Sequence, residues 1–187
     1  MSALIPRLAA DELPRDLADR LRPRVERLGY LGEFFRCAAH QPRALLSFMA
    51  LTDDLKEALP ERITEVVALT VAAALENAYE RVQHERLSLK LGLSEPWVRE
   101  VEARARGSTR EAAVEMAEGE RLVQRLALAL VERHGHGVGD ELEAVVRVLG
   151  APAAIAVLML VGRYVTHAFM ANALELAPPV ASPLGTP

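Results

Sequence analysis

The sequence predicts a single all-α domain, and three observations support this. Of the 187 residues, 51% are hydrophobic but only 4% are aromatic, and alanine and leucine dominate, which favours helices over strands. Apolar residues recur at the spacings of three and four that place them on one side of a helix. Proline and glycine stand at the ends of these periodic stretches. A chain of this length is long enough to bury one sizeable core.

The N-terminal part is predicted as a loose arm and three helices. Residues 1–10 show no pattern, and Asp11 is the expected cap of a helix that reaches residue 21 and is ended by Pro23. A short helical pattern covers residues 33–39. Pro42 then begins a helix that runs to about residue 55, because proline is tolerated in a first turn.

The centre of the chain is predicted as two helices joined at a sharp corner. Residues 61–75 are apolar and rich in alanine, so this helix should be enclosed on most sides. Asn77 can accept hydrogen bonds from the free amides at the start of the second helix, and Glu80 follows three residues later, as in a capping box. The second helix runs to residue 91, where Gly92 ends it.

The C-terminal half is predicted as four further helices and a tail. Ser94 caps the first of these helices and Asp140 caps the third, while the fourth is long and apolar. Residues 109–116 fit a short helix only ambiguously. The four helices are expected over residues 94–105, 119–134, 140–149 and 151–176.

The chain divides into an N-terminal arm and helix (residues 1–29), a helical domain (30–177) and a disordered tail (178–187). The net charge of −4, with acids and bases intermixed, gives no basic patch for nucleic acid. The most apolar stretch meets Arg163 after too few residues to span a bilayer, and the N-terminus carries acids early instead of a signal peptide. We therefore predict a cytoplasmic protein with no nucleic-acid or membrane partner.

Cysteine and isolated histidines give no further site. The single cysteine, Cys37, excludes an intrachain disulfide, fits a reducing compartment and is predicted to be inert and partly buried. His134 and His136 form an H-x-H pair beside glycines, but no third residue has the spacing of a metal ligand, so no metal site is predicted. His167, on the long apolar helix, is predicted to be buried and structural.

The corner carries polar residues where apolar ones are expected. At about 100° per residue, Asn77, Glu80 and His84 share one side of the second helix with two leucines, and Glu65 lies on the enclosed first helix. Polar groups placed there need partners or a cavity. From the residues alone, three readings stay open: Glu80 as a capping residue, His84 as a core histidine and Glu65 as half of a structural ion pair.

The segments RITEVVALTVAAAL and NAYERVQHERLSLKLGLS resemble the core of the carboxymuconolactone decarboxylase and alkylhydroperoxidase D superfamily. The peroxidase branch of that superfamily carries Cys-x-x-Cys-x-x-x-His on the second helix and a glutamate on the first. Here Asn77 and Glu80 stand at the two cysteine positions, His84 at the histidine and Glu65 at the glutamate. With both cysteines absent and Tyr79 before Glu80, the pattern resembles the decarboxylase-like branch.

The resemblance implies a single-domain alkylhydroperoxidase D-like fold and a lyase without a cofactor that acts on a small carboxylated lactone or related acid. It implies catalytic roles for Glu65, Glu80 and His84, with His84 as the proton donor. The residues expected to meet the substrate are Arg62, Tyr79 and Arg81. Members of the family usually form homo-oligomers, so a trimer or hexamer is expected. Two alternatives remain: a thiol peroxidase, which the missing cysteines disfavour, and a non-catalytic oligomer that binds a small molecule or has a structural role.

Overall fold

The computed structural model describes residues 4–108 and 115–185, and every regular element in those two ranges is helical. A short 3-10 helix, Ala10–Glu12, precedes eight α-helices: α1 Arg15–Leu28, α2 Glu33–Ala38, α3 Pro42–Glu57, α4 Glu61–Ala74, α5 Ala78–Lys90, α6 Glu95–Ala105, α7 Glu118–Glu132 and α8 Gly139–Ala173. The all-α prediction is confirmed. Most of the ambiguous helix at 109–116 lies outside the described residues.

Helix α4 is the centre of the fold. Its residues from Ile63 to Ala73 are all buried, and the helix packs against α5, α6, α7 and α8. Enclosing an apolar helix on all sides is strongly favourable, at about 1.5–3 kcal/mol for each large aliphatic side chain. The acid within this run, Glu65, is only 2% exposed. A carboxylate buried to that extent requires partners.

A sharp corner joins α4 to α5. Glu76 has a left-handed backbone conformation, with φ of 52°, and the Asn77 side chain accepts a hydrogen bond from the Glu80 amide at 3.2 Å. The predicted Asn77 cap is therefore confirmed. The Asn77 amide donates to the Ala72 carbonyl at 2.8 Å, so the Glu80 side chain does not close a capping box. Its carboxylate turns to the interior instead.

Helix α1 continues through Pro23, so the predicted helix end at that residue is wrong. Pro23 removes one backbone hydrogen bond, but Leu17 and Leu21 are fully buried in a second core cluster formed with α2, α3 and the ends of α5 and α8. Burial of this apolar face outweighs the local penalty. The residue at the cap is Pro14, and Asp11 lies in the preceding 3-10 helix. A helix expected to belong to an arm thus packs into the body of the protein.

Helix α8 contains a break at Gly150, whose φ of 81° and ψ of 162° are open essentially to glycine alone. The two helices predicted over 140–149 and 151–176 therefore meet at one residue. The predicted cap Asp140 is wrong: α8 begins one residue earlier, and Val138, which has no side-chain hydrogen bond, is the cap residue.

The outward side of α8 carries three exposed large apolar side chains. Ile155, Met159 and Phe169 are 56%, 48% and 61% exposed and lie within about 80° of each other around the helix. We call these three residues the α8 exposed stripe. By length and composition alone, α8 is the one helix of the described residues that is long and apolar enough to cross a membrane, a criterion that core helices of globular proteins also meet. The cytoplasmic location therefore stays a prediction.

The described part of the tail lies against α5 and α6. The Ser182 hydroxyl donates to the buried Glu85 carboxylate, and the Arg99 guanidinium donates to the Leu184 carbonyl at 2.8 Å. The sequence had predicted disorder for this segment from its proline content, which carries no information about such side-chain contacts.

Candidate functional site

Glu65, Glu80 and His84, the three residues predicted to be catalytic, meet in the interior. The Nδ1 atom of His84 lies 2.7 Å from Glu65 Oε2, and its Nε2 atom lies 3.2 Å from Glu80 Oε2. The Ser88 hydroxyl donates a further hydrogen bond to Glu65 at 3.3 Å. All three side chains are less than one tenth exposed. Two carboxylates from adjacent helices thus hold one imidazole between them.

Two residues of α8 that the sequence analysis did not assign to the site complete this cluster. His167 Nε2 lies 3.0 Å from Glu80 Oε1, and Arg163 Nη1 lies 3.5 Å from Glu80 Oε2. The Arg163 Nε–H also donates to the Thr52 hydroxyl at 3.0 Å. The available signal was their spacing, since Arg163 and His167 are four apart on an otherwise apolar helix. The predicted burial of His167 is confirmed at 3% exposure, but its contact with Glu80 was not foreseen.

The charges of the cluster are set by competition between burial and pairing. Burial alone would raise the pKa of Glu80, but His167, His84 and Arg163 outweigh it and hold that pKa well below its usual range. Burial alone would lower the pKa of His84, but Glu65 and Glu80 outweigh it and raise the pKa. For His167 burial prevails over Glu80, and the pKa is lowered. The site therefore favours a carboxylate at Glu80, an imidazolium at His84 and a neutral ring at His167.

A cavity of about 400 Å³ opens beside the cluster, between α1, α3, α5 and α8. Glu80, His84 and His167 form part of its wall, and this volume suits a small organic ligand. Its cationic lining residues are Arg24, Arg27, Lys56, Arg86, Lys90 and Arg163. Glu80 is the acid that faces them, and both lysines of the chain are in this set. In a protein of net charge −4, the wall of this cavity is strongly cationic.

Most of these cations are not neutralised. Across residues 4–108 and 115–185, only Arg163 of the six makes an ion pair. Burial lowers the pKa of Lys56 despite the attraction of Glu65, and burial together with neighbouring arginines lowers the pKa of Arg24. The Arg24 guanidinium rests on the Phe35 ring, 4.7 Å from its centroid. A bound anion would stabilise the charged forms of both residues.

Tyr79 lines the cavity, as predicted. Its hydroxyl accepts a hydrogen bond from the Phe34 amide at 3.4 Å. Burial, opposed in part by this bond, raises the pKa of Tyr79 to about 12. Tyr79 thus presents a neutral phenol to a ligand.

The two arginines predicted to bind substrate lie elsewhere, which corrects the sequence analysis. Arg62 pairs with the buried Glu120 carboxylate of α7 and stacks over the Trp97 ring at 5.0 Å. Arg81 pairs with Glu85 at 2.6 Å, because one residue beyond Glu80 is about 100° further around α5 and faces α6. Neither arginine lines the cavity. Its cations come instead from α1, α3, α5 and α8.

The other residues considered from the sequence lie away from the cluster. Cys37 is 4% exposed in the second core cluster, and burial raises the pKa of its thiol. His134 and His136 are exposed beyond the end of α7. In the described ranges, no three His, Cys, Asp or Glu side chains form a group that would hold a metal ion.

Several solved structures have a similar architecture. No protein-family model and no curated protein matches the sequence. Among solved structures, the chain resembles the alkylhydroperoxidase AhpD core of an uncharacterized peroxidase-related protein from Ralstonia eutropha JMP134, at 19% identity and a TM-score of 0.77, with 92% of this chain and 90% of that chain covered. It also resembles a peroxidase-related protein from Silicibacter sp. TM1040, at 16% identity and a TM-score of 0.76, with 96% and 92% covered.

A third similar structure is the debrominase Bmp8 in complex with 2,3,4-tribromopyrrole, at 17% identity and a TM-score of 0.72, with 95% of this chain and 92% of that chain covered. Identities this low carry the fold and not the activity. The chain nevertheless aligns with these structures over almost its whole length, which confirms the fold expected from the sequence. This protein has the alkylhydroperoxidase D-like fold.

Proposed function

We propose that the protein is a lyase that needs no cofactor and decarboxylates a small carboxylated lactone or related acid by general acid chemistry. The observation that carries this proposal is the cationic cavity with His84, an imidazole held between two carboxylates, in its wall. Six cations face one acid there, and two carboxylates favour the charged form of His84. The site therefore combines the means to bind an organic anion with a proton to give it.

Anion binding would fall to the cations that have no carboxylate partner. Arg163 already donates to Thr52 and pairs with Glu80, which leaves Lys56 and Arg24 as the partly buried cations of the cavity wall. Hydrogen bonds between such cations and a carboxylate or an enolate oxygen are among the stronger polar contacts in proteins. These two residues would orient the acid and stabilise the negative charge that develops on its carbonyl oxygen.

The reaction requires one proton. In a decarboxylation the bond between the carboxylate carbon and its neighbour breaks, carbon dioxide leaves, and the bonding electron pair stays on the remaining carbon and its conjugated carbonyl. The proton on His84 Nε2, which faces Glu80 Oε2 at 3.2 Å in the free site, would move to that carbon when the acid is bound, while Glu65 on Nδ1 fixes the orientation of the ring. His84 would then recover its proton from water. Positioned proton transfer of this kind contributes about 10²- to 10⁴-fold in rate.

A disulfide-cycling peroxidase is disfavoured on the same residues. Asn77 and Glu80 occupy the two positions where the resemblance places cysteines, and neither can form a disulfide. Cys37 is buried, and its raised pKa opposes the thiolate form that attacks peroxides. A protein that binds an anion without turning it over would use the same cavity. Turnover separates it from the proposed lyase.

The proposal is tested with a panel of small carboxylated lactones and keto acids, with their neutral methyl esters as controls. Ligand-induced thermal stabilisation reports binding, and carbon dioxide release reports turnover. Lys56→Met should abolish the stabilisation, whereas Arg147→Met, which removes an exposed cation outside the cavity, should not. His84→Gln should keep the stabilisation and lose turnover.

The outcomes are distinct. Stabilisation by acids without carbon dioxide release from any of them would leave a binding protein and refute the lyase. Equal stabilisation by acids and by their esters would refute the anion site itself.

A further inference from the structure

The orientation of the His167 ring is fixed by two aromatic neighbours. It stacks on Phe34 with 3.8 Å between centroids and 20° between planes, and Tyr79 lies 6.1 Å from it, also nearly parallel. The side chain is 3% exposed. This stacking directs one nitrogen, Nε2, at the Glu80 carboxylate.

The surroundings of the two ring nitrogens of His167 determine which of them carries a proton. An ionised Glu80 can only accept a hydrogen bond, so Nε2 of His167 must carry the hydrogen. Its other nitrogen, Nδ1, is buried and has no hydrogen-bond partner in the described part of the chain. A second proton on Nδ1 would be a buried donor without an acceptor, which is costly. His167 is therefore held as a neutral ring with a single, permanent donor.

The two carboxylate oxygens of Glu80 contact different residues. Oε2 faces His84 and Arg163, whereas Oε1 faces His167. Of the described residues, His167 is the one whose side-chain nitrogen lies within ion-pair distance of Oε1, at 3.0 Å. Without it, a buried carboxylate oxygen would lose its donor, and the group would have to rotate or take up a proton.

We propose that His167 is a positioning residue of the site: its Nε2–H fixes the Glu80 carboxylate in the orientation that faces His84, so that Glu80 stays ionised and holds His84 as the proton donor. His167 acts through Glu80 and does not itself exchange a proton with the substrate. This role in catalysis rests on the proposed acid–base function, but the coupling between His167 and Glu80 can be measured without any substrate.

Other charges also act on Glu80 and must be held constant in a test. They lie on four helices and are His84 and Tyr79 on α5, Lys56 on α3, Arg24 on α1, and Arg163 and Tyr164 on α8, while Glu65 on α4 acts on His84 from its other side. Substitutions confined to His167 leave all of them in place.

The experiment compares three replacements of His167. Glutamine can place an amide N–H near the position of Nε2, asparagine only near that of Nδ1, and leucine supplies no donor. The titration midpoint of the Glu80 carboxyl is followed by ¹³C NMR, and the resonance is assigned from its absence in Glu80→Gln. We expect the midpoint to rise in the leucine and asparagine variants and to stay low in the glutamine variant. Phe34→Leu removes the ring on which His167 stacks but keeps the donor, so its midpoint should lie between those of the unmodified protein and His167→Leu.

Two results would overturn this role. One is an unchanged Glu80 midpoint in both His167→Leu and His167→Asn, which would make His167 a packing residue. The other is a rise in His167→Gln as large as in His167→Leu. If the leucine variant does not fold, ¹⁵N imidazole spectra of the unmodified protein still decide: the Nε2–H neutral tautomer is required at neutral pH, and a charged ring or an Nδ1–H tautomer would overturn the proposal.

Once a substrate is known, the kinetic constants give a second readout. We expect kcat to fall by about 10- to 100-fold in His167→Leu, as for the loss of a hydrogen bond to a charged group. KM should change little, because the cations and not His167 bind the acid, and His167→Gln should recover part of kcat. Absence of turnover with every acid, together with the expected NMR shifts, would refute the lyase and leave the coupling of His167 to Glu80 intact.

Discussion

Replacement of Glu65 by glutamine is the sharpest test of the buried pair. The change keeps the shape of the side chain and its capacity to accept a hydrogen bond from His84 Nδ1, now 2.7 Å away, but it removes the charge. Two unit charges about 4 Å apart interact by about 4 kcal/mol at an effective dielectric constant of about 20. Because His84 can escape part of this loss by releasing its proton, we expect the free energy of unfolding to fall by about 2–3 kcal/mol. For a chain of this size the corresponding fall in Tm is about 4–12 °C.

The loss should depend on pH in a defined direction. The pKa of His84 is raised in the folded protein, so its pairing contributes stability that is fully present below the ordinary value of 6.5 and is lost as pH rises through the folded-state pKa. The gap in unfolding free energy between the unmodified protein and Glu65→Gln should therefore be widest in acid and narrow with rising pH. Urea unfolding at several pH values measures the gap, and NMR titration of His84 should give a lower midpoint in the variant.

Glu61→Gln is the matched control, since it makes the same change on the same helix at an exposed position. It should cost less than about 1 kcal/mol, the usual size of a helix-terminus charge effect. Equal losses in the two variants, or a gap that does not change with pH, would show that Glu65 and His84 are not coupled as a charged pair.

Three further predictions concern the backbone, the thiol and the surface. Gly150→Ala should lower the free energy of unfolding by about 1–3 kcal/mol because of its positive φ, whereas Gly162→Ala, helical and with nothing within 4 Å of the added carbon, should raise it by about 0.5–1 kcal/mol in urea unfolding. Reduction of organic hydroperoxide by a dithiol cycle should be absent, and a thiol-dependent activity that disappears in Cys37→Ser would contradict this. Light scattering should give a multiple of the 20.4 kDa chain mass because the α8 exposed stripe is apolar, and Phe169→Glu should reduce the mass toward one chain; a monomer before substitution would contradict the predicted homo-oligomer.

The corner between α4 and α5 could be predicted because its signals are local. The Asn77 cap and the spacing from Glu80 to His84 depend on residues within two helical turns, where helix geometry fixes which side chains meet. The prediction that Glu65 lies beside His84 requires one further assumption, namely that α5 runs antiparallel to α4 after the corner. The observed distance of 2.7 Å agrees with it.

The α8 contribution and the cationic wall could not be predicted in the same way. His167 reaches Glu80 across 87 positions of sequence (167 minus 80), and no periodicity states which distant helix will pack beside α5. The place of Arg24 in the cavity wall does not follow from the sequence, because proline at position 23 predicts a helix end, whereas tertiary burial of Leu17 and Leu21 carries α1 past it. Arg62, which was expected to meet the substrate, pairs instead with the buried Glu120 carboxylate.

Glu80 stands where the family resemblance places a second cysteine, and a carboxylate at that position supports different chemistry. A cysteine there would be a redox group, whereas Glu80 is a fixed negative charge that His84, Arg163 and His167 hold in place. The charges of the cluster balance, since Glu65 and Glu80 face the imidazolium of His84 and the guanidinium of Arg163. Neither carboxylate of the cluster is therefore left to pair with Lys56 or the neighbouring cations of the cavity wall. These cations remain available for an anionic ligand. A neutral Glu80 would no longer stabilise the positive charge of His84. The pKa of His84 would then fall, and His84 would be a poorer source of the proton that the proposed reaction requires.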